Sequence, residues 1–227
     1  MLLSILTNEG FDWAMMIAYV LAVLVSIFVS LPIHEYAHAF MANKLGDSTA
    51  KHMGRLSLNP FRHIDYMGSL LILLFGFGWA KPVPVNMNNF RNPKAHMGLV
   101  AFAGPLSNLI LSFIAMLLGN ATLLLLFVLP SWQTIIFTVY LIFVLVAEIN
   151  ISLAVFNLIP IPPLDGSRIL NALLPDRIYL KLMQYERYTF FLVFALLFLF
   201  DDQISKVTDW VMTIVNTITY LPFSAFF

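Results

Sequence analysis

From Ala14 to Ile33 the chain carries no charged residue, and this run of 20 ends directly in His34-Glu35-Tyr36-Ala37-His38. About 20 apolar residues is the helix length that crosses the hydrocarbon core of a bilayer. An acid and two imidazoles therefore sit on or just below a membrane-spanning helix, where ionisable groups are costly and mark function by default. After Glu35 the next charge is Lys44, nine residues on, roughly 14 Å along a helix at 1.5 Å per residue. The motif thus lies inside the inner edge of the membrane.

On a helix, His34 and His38 stand one turn apart on one face and Glu35 is turned about 100° away. Two imidazoles so placed can hold one Zn²⁺ while the acid reaches the attacking water, the H-E-x-x-H pattern of zinc hydrolases. The structural alternative is a pair of interfacial histidines flanking a stray acid. With no cysteine among 227 residues, thiolate metal sites and disulfides are excluded, and His and carboxylate are left as the strong ligands.

The rest of the composition fits a membrane setting: 60% hydrophobic, 11% charged, with a mean hydropathy of +0.87. These values lie outside the range of soluble domains. The formal net charge of zero gives no electrostatic case for a nucleic-acid partner. Residues 1–227 read as one integral membrane domain with a core from about 12 to 170 and C-terminal spans from about 186 to 227. Met1–Gly10 lacks a basic segment and a small-residue cleavage site, so the first apolar run reads as a retained span.

The expected fold is an all-α polytopic membrane protein of about five to six membrane segments with a small re-entrant or interfacial β element. Pro32 frees the carbonyl of Phe28 and predicts a kink beside the motif. The alternating stretch Arg55-Leu56-Ser57-Leu58-Asn59 reads as a short strand. Tyr66–Ala80 is apolar but short and glycine-containing, so it reads as re-entrant. Lys81-Pro82-Val83-Pro84-Val85-Asn86 follows as an edge strand, since both prolines lose their N–H on the same side; the other edge can pair with an extended peptide.

Further spans are expected over about Met97–Leu118, Trp132–Phe156 and Tyr188–Phe200, while Ile204–Phe227 spans or lies in the interface. In the second span, Gly104 allows close helix approach and Asn108 can hydrogen-bond across the contact. Glu148 needs a partner, with Asn150 or a neighbouring helix in that role. Of the 12 Lys and Arg, seven lie from Lys44 to Lys94 and four from Arg168 to Arg187. By the positive-inside rule both stretches are cytoplasmic. His34, His38 and Asp165 then share the cytoplasmic side, and Glu9, Asp12, Asp201 and Asp202 fall outside.

A catalytic zinc takes three protein ligands and leaves a position for water. Asp165, on a proline-held turn and followed by Gly166, is a candidate for the third; it is equally readable as the N-cap of the helix that begins near Ser167. His52, His63 and His96 sit in the basic interfacial stretch, where histidines are common without a metal.

His34-Glu35-x-x-His38, Gly104-Pro105-x-x-Asn108 and Asn157-x-x-Pro160-x-Pro162-Pro163-Leu164-Asp165-Gly166 together resemble the site-2 protease family of intramembrane zinc metalloproteases. Gly54-Arg55-Leu56-Ser57-Leu58-Asn59-Pro60 with His63-Ile64-Asp65, and Lys81 to Asn86, are similar to its compact branch. The resemblance covers about residues 20 to 170, with no PDZ or CBS-like domain. It implies one Zn²⁺ held by His34, His38 and Asp165, with Glu35 as general base and acid and Asn157 steadying the substrate carbonyl or its oxyanion. It further implies a membrane-protein or remnant signal-peptide substrate, cut within or near its transmembrane segment, with Val83, Val85 and Asn86 holding the extended chain. The enzyme is expected in the cell membrane, embedded in the lipid bilayer, with its site towards the cytoplasm.

Two rivals predict different sequences. A metal-binding transporter or sensor calls for polar groups along several spans and a repeated topology, whereas here the polar groups converge on one face and no repeat is visible. A non-cleaving pseudoprotease is argued against by the intact Glu35.

Overall fold

A computed structural model describes residues 13–75, 78–175 and 199–224. Among these residues the structure is all-helical, without a strand, and three helices are long and apolar enough to cross a membrane: Trp13–Lys44, Pro93–Val128 and Pro130–Asn157. The expected span Tyr188–Phe200 lies outside the described residues, apart from its last two.

The first of these is built of α1 (Trp13–Val25), a π turn over Ser26–Ser30 and α2 (Leu31–Lys44), which carries the motif. Pro32 has no N–H for the carbonyl one turn back. The helix widens just before it, Leu31 N–H reaching back to Ser26 O, so the irregularity expected at the motif is a widened turn. Gly46, at φ 112°, ends the helix in a conformation glycine accepts without strain. Beyond it, buried Asp47 accepts hydrogen bonds from Asn86 N (2.7 Å), Asn89 Nδ2 (2.7 Å) and Thr49 N (3.1 Å). Burial opposes ionisation of this carboxyl, but those donors outweigh it and lower its pKa.

The segment after the first span folds back on itself. Helix α3 (Tyr66–Phe75) has 10 residues, too few to cross a bilayer. An added Cβ on Gly68 would lie 2.9 Å from Trp79 N, and Lys81 N–H donates to His63 O at 2.8 Å. The chain therefore leaves where it entered, and only a glycine lets the two backbones meet.

Residues 81–86 are not the edge strand of a sheet, and Arg55–Asn59 is not a strand. The reason is where their donors go. Pro82 and Pro84 have no N–H, Val83 N–H is taken by Glu35 and Asn86 N–H by Asp47. Arg55 spends its guanidinium on the carbonyls of Lys81 and Pro82, and the His63 ring takes Ser57 O. Side chains thus replace a β ladder.

Helices α4 (Pro93–Leu123) and α5 (Gln133–Asn157) run antiparallel, and α4 is central, touching α2, α5, α6 (Asp165–Leu173) and α7 (Asp201–Tyr220). Small residues allow this: Ala22, Ala115 and Ala147 share one core cluster. Leu99, Phe102, Leu106, Ile110, Phe113 and Leu118 remain exposed along the other side of α4, as a lipid-facing stripe does.

Helix α7 packs along α4 and α5. Its start, at Phe200 and Gln203, meets Leu158 and Ile159, and near its end Thr219 Oγ1 accepts from Asn120 Nδ2 at 3.1 Å. Asp201 and Asp202 are therefore at the Asn157 end of the bundle, opposite to the end expected for them. The expectation rested on the basic stretch Arg168 to Arg187 being cytoplasmic and on Tyr188–Phe200 crossing the membrane. Asn150 bonds Ser30 Oγ (2.9 Å) and Val146 O (2.8 Å), not Glu148, and Glu148 instead lines a cavity with Tyr19, Thr208 and Asp209.

Candidate active site

The site is assembled by three helices. His34 and His38 come from α2, Asp165 from the start of α6, and α4 closes the space behind them. His34 Nε2 and His38 Nε2 are 3.0 Å apart, and Asp165 Oδ2 lies 3.3 Å and 3.2 Å from them. Among the described residues this is the one group of three such side chains whose donor atoms all lie within 4.8 Å, and all three are buried.

The donors suit a metal. His38 Nδ1 is 2.7 Å from Val100 O; a carbonyl only accepts, so Nδ1 carries the proton and the neutral ring offers Nε2. Asp165 is the first residue of α6, with Leu164 at the cap position, so its carboxylate is free of a capping role and reaches the imidazoles. A buried anion and two neutral nitrogens converging on one point are what a tetrahedral divalent ion with one open position requires.

Gly104 makes the room. A Cβ added there would lie 2.6 Å from His34 Cε1 and 2.5 Å from His38 Cε1. Close approach was legible in the sequence, but the neighbour is the histidine pair. Gly104→Ala is expected to push the rings off their positions at a cost of about 1–3 kcal/mol. Zinc content of the purified variant checks it, and full occupancy with unchanged stability would show the rings can give way.

Glu35 is outside the cluster of donors. Its Oε2 accepts the Val83 N–H at 2.9 Å, which joins the acid of the motif to the segment 81–86. That segment is held from behind by Arg55 and His63 at Lys81–Pro82 and by Asp47 at Asn86. Sequence reasoning named Val83, Val85 and Asn86 but missed the anchors Arg55 and Asp47, whose burial becomes visible only in the fold.

Asn157 ends α5, and its Nδ2 donates back to Leu153 O at 2.9 Å. The structure gives it no contact with the three donors. His63 is buried and bonded to Ser57 O, and His96 lies edge-on to Phe90. Neither joins the cluster.

A family model described as Peptidase family M50 matches residues 125–200, which contain Asn157 and Asp165 but not the histidine pair. The chain is 45% identical over 176 residues to the provisionally named zinc metalloprotease YwhC of Bacillus subtilis (strain 168), spanning 77% of this chain and 78% of that protein. It is 30% identical over 178 residues, 74% of this chain and 63% of the relative, to the provisionally named zinc metalloprotease Rip2 of Mycolicibacterium smegmatis. With the provisionally named zinc metalloprotease MJ0611 of Methanocaldococcus jannaschii the identity is 31% over 142 residues, 61% of this chain and 63% of the relative. No solved structure matches. A likeness that runs over most of YwhC, joined to the match within residues 125–200 and to the apolar helices, means that the chain belongs to peptidase family M50, the site-2 protease family of membrane metalloproteases.

Proposed function

We propose that this protein is an intramembrane zinc endopeptidase that cuts a membrane-protein substrate within or near its transmembrane segment. One Zn²⁺ per chain is held by His34, His38 and Asp165. The observation that carries the reading is the buried His-His-Asp cluster beside a glutamate that is not part of it. Bound there, a zinc ion would polarise a carbonyl and bring the pKa of water towards about 7.

The chain's own residues supply the rest. Glu35 takes the proton of the attacking water and returns it to the leaving amine, while the Val83 N–H keeps its carboxylate aimed. Asn157 steadies the scissile carbonyl with the amide hydrogen not spent on Leu153. A substrate helix hides its peptide groups in internal hydrogen bonds and has to unwind before it is cut. The unwound backbone then lies along Val83, Val85 and Asn86, with the Val85 N–H as its main-chain donor. Among the described residues Val85 N–H has no partner, and that donor supports the pairing. The basic residues around Lys44–Lys94 set the site towards the cytoplasmic face of the cell membrane, in a chain of about five to six membrane segments. Single-span proteins or remnant signal peptides, as in regulated intramembrane proteolysis, are the substrates.

The test is cleavage of a panel of single-span peptides by the purified protein. Cleavage that a chelator stops and added zinc restores is expected. Zinc-loaded protein that cuts none of them while carrying the metal across vesicles would favour a transporter. Val85→Pro removes the one free donor of the 81–86 edge without touching the ligands, and should abolish cleavage with zinc retained; unchanged turnover would take the substrate off this edge.

A further inference from the structure

Helix α4 addresses the histidine pair with one face, at residues four apart. Val100 gives its carbonyl to His38 Nδ1 at 2.7 Å. At Gly104 the helix lies against both rings, the position of its missing Cβ falling 2.6 Å from His34 Cε1 and 2.5 Å from His38 Cε1. Asn108 follows on the same face, one turn deeper in the bundle.

Asn108 is 0% exposed, yet neither its Oδ1 nor its Nδ2 makes a hydrogen bond among the described residues. His34 Nδ1 is in the same condition: buried and without a partner. Buried polar atoms are nearly always paired, with protein or with a trapped water. A metal-binding histidine, in particular, gives its second ring N–H to an acceptor that sets its tautomer and orientation. His38 has such an acceptor in Val100, and His34 lacks one.

We infer that Asn108 is the outer partner of His34: its side-chain oxygen accepts the His34 Nδ1–H, directly or through one buried water, and keeps Nε2 turned to the metal. The three α4 positions then divide the work, Val100 orienting one ring, Gly104 clearing space for both, and Asn108 orienting the other. Asn108 is a positioning residue that touches neither the metal nor the substrate. The inference rests on the zinc reading of the His-His-Asp cluster.

The experiment measures zinc affinity of detergent-purified protein by competition with a chromophoric chelator, with no substrate present. Asn108→Leu should bind zinc about 10–100-fold more weakly. Asn108→Asp, which keeps an acceptor oxygen, should bind no more weakly than the unaltered protein. With cobalt(II) in place of zinc, Asn108→Leu should shift the visible absorption bands, which loss of packing alone does not do. If Asn108→Leu fails to fold, Asn108→Ala reads the same affinity. Asn150→Ala is the comparison: Asn150 is equally buried, its Nδ2 bonded to Ser30 and Val146 and its Oδ1 unpaired among the described residues, and its loss should lower Tm with zinc affinity unchanged. Unaltered affinity and cobalt spectrum in Asn108→Leu or Asn108→Ala overturn the inference, as does a loss of zinc confined to Asn150→Ala. Absence of zinc binding by the unaltered protein would be a different result, overturning the metal site itself.

Discussion

Glu35→Gln is expected to keep one zinc per chain and to lose turnover by a factor on the order of 10²–10⁴, the usual worth of a positioned general base. Glu35 stands outside the cluster of donor atoms, so the metal loses no ligand. The glutamine oxygen can still accept the Val83 N–H that Glu35 accepts at 2.9 Å, so the segment 81–86 stays in place. What the amide cannot do is take up a proton. Metal analysis and a single-span peptide assay on the same preparation check both halves. Loss of zinc from this variant would move Glu35 into the ligand set; full activity would remove it from the chemistry.

Asp165→Ala is expected to empty the site. It deletes one of the three proposed ligands, so zinc affinity should fall by more than the 10–100-fold that follows loss of an outer-shell contact, and cleavage should stop with it. The aspartate is also the only acid among the three donors, and its removal takes away the carboxylate that lies within 3.3 Å of both imidazoles. His63→Ala and His96→Ala should keep zinc, because the His63 ring is spent on Ser57 O and His96 lies against Phe90. Circular dichroism separates the alternatives for Asp165. Full zinc with helix lost after residue 165 would mean that the residue serves the helix terminus; lost zinc with helix intact is the result expected of a ligand.

The helical frame was readable because its signals are local. An uncharged run of membrane length, Pro32 ahead of the motif and the small residues of α4 each act on their near neighbours. The widened turn at Ser26–Ser30, the central position of α4 and the fold-back at Gly68–Trp79 follow from them. The histidine pair was readable for the same reason, being one turn of one helix. Asp165 was ambiguous because an acid at a helix start looks alike whether it caps the helix or turns away from it; only the third dimension brings it to residues more than 120 positions earlier.

The expected β element failed for a reason that lies between segments. Alternation and prolines describe the strand itself, but whether a ladder forms depends on what takes its donors, and here Glu35, Asp47 and Arg55 supply side chains. The placement of Asp201 and Asp202 failed similarly, since their end of the bundle is set by how α7 packs along α4 and α5.

The hydrogen bond from Val83 to Glu35 has a consequence for how a peptide is measured against the site. With that N–H committed, and prolines on either side of it, a chain laid along the edge finds its donor at Val85, two residues and about 6.6 Å further along an extended backbone. On the proposed pairing, that single anchor would set the register. The bond to be cut would then be chosen by its distance from one main-chain contact more than by the identity of the side chains around it. A substrate series tests this as a ruler: cleavage is expected to tolerate wide changes of sequence near the cut and to be sensitive to a residue inserted between the cut and the anchored position.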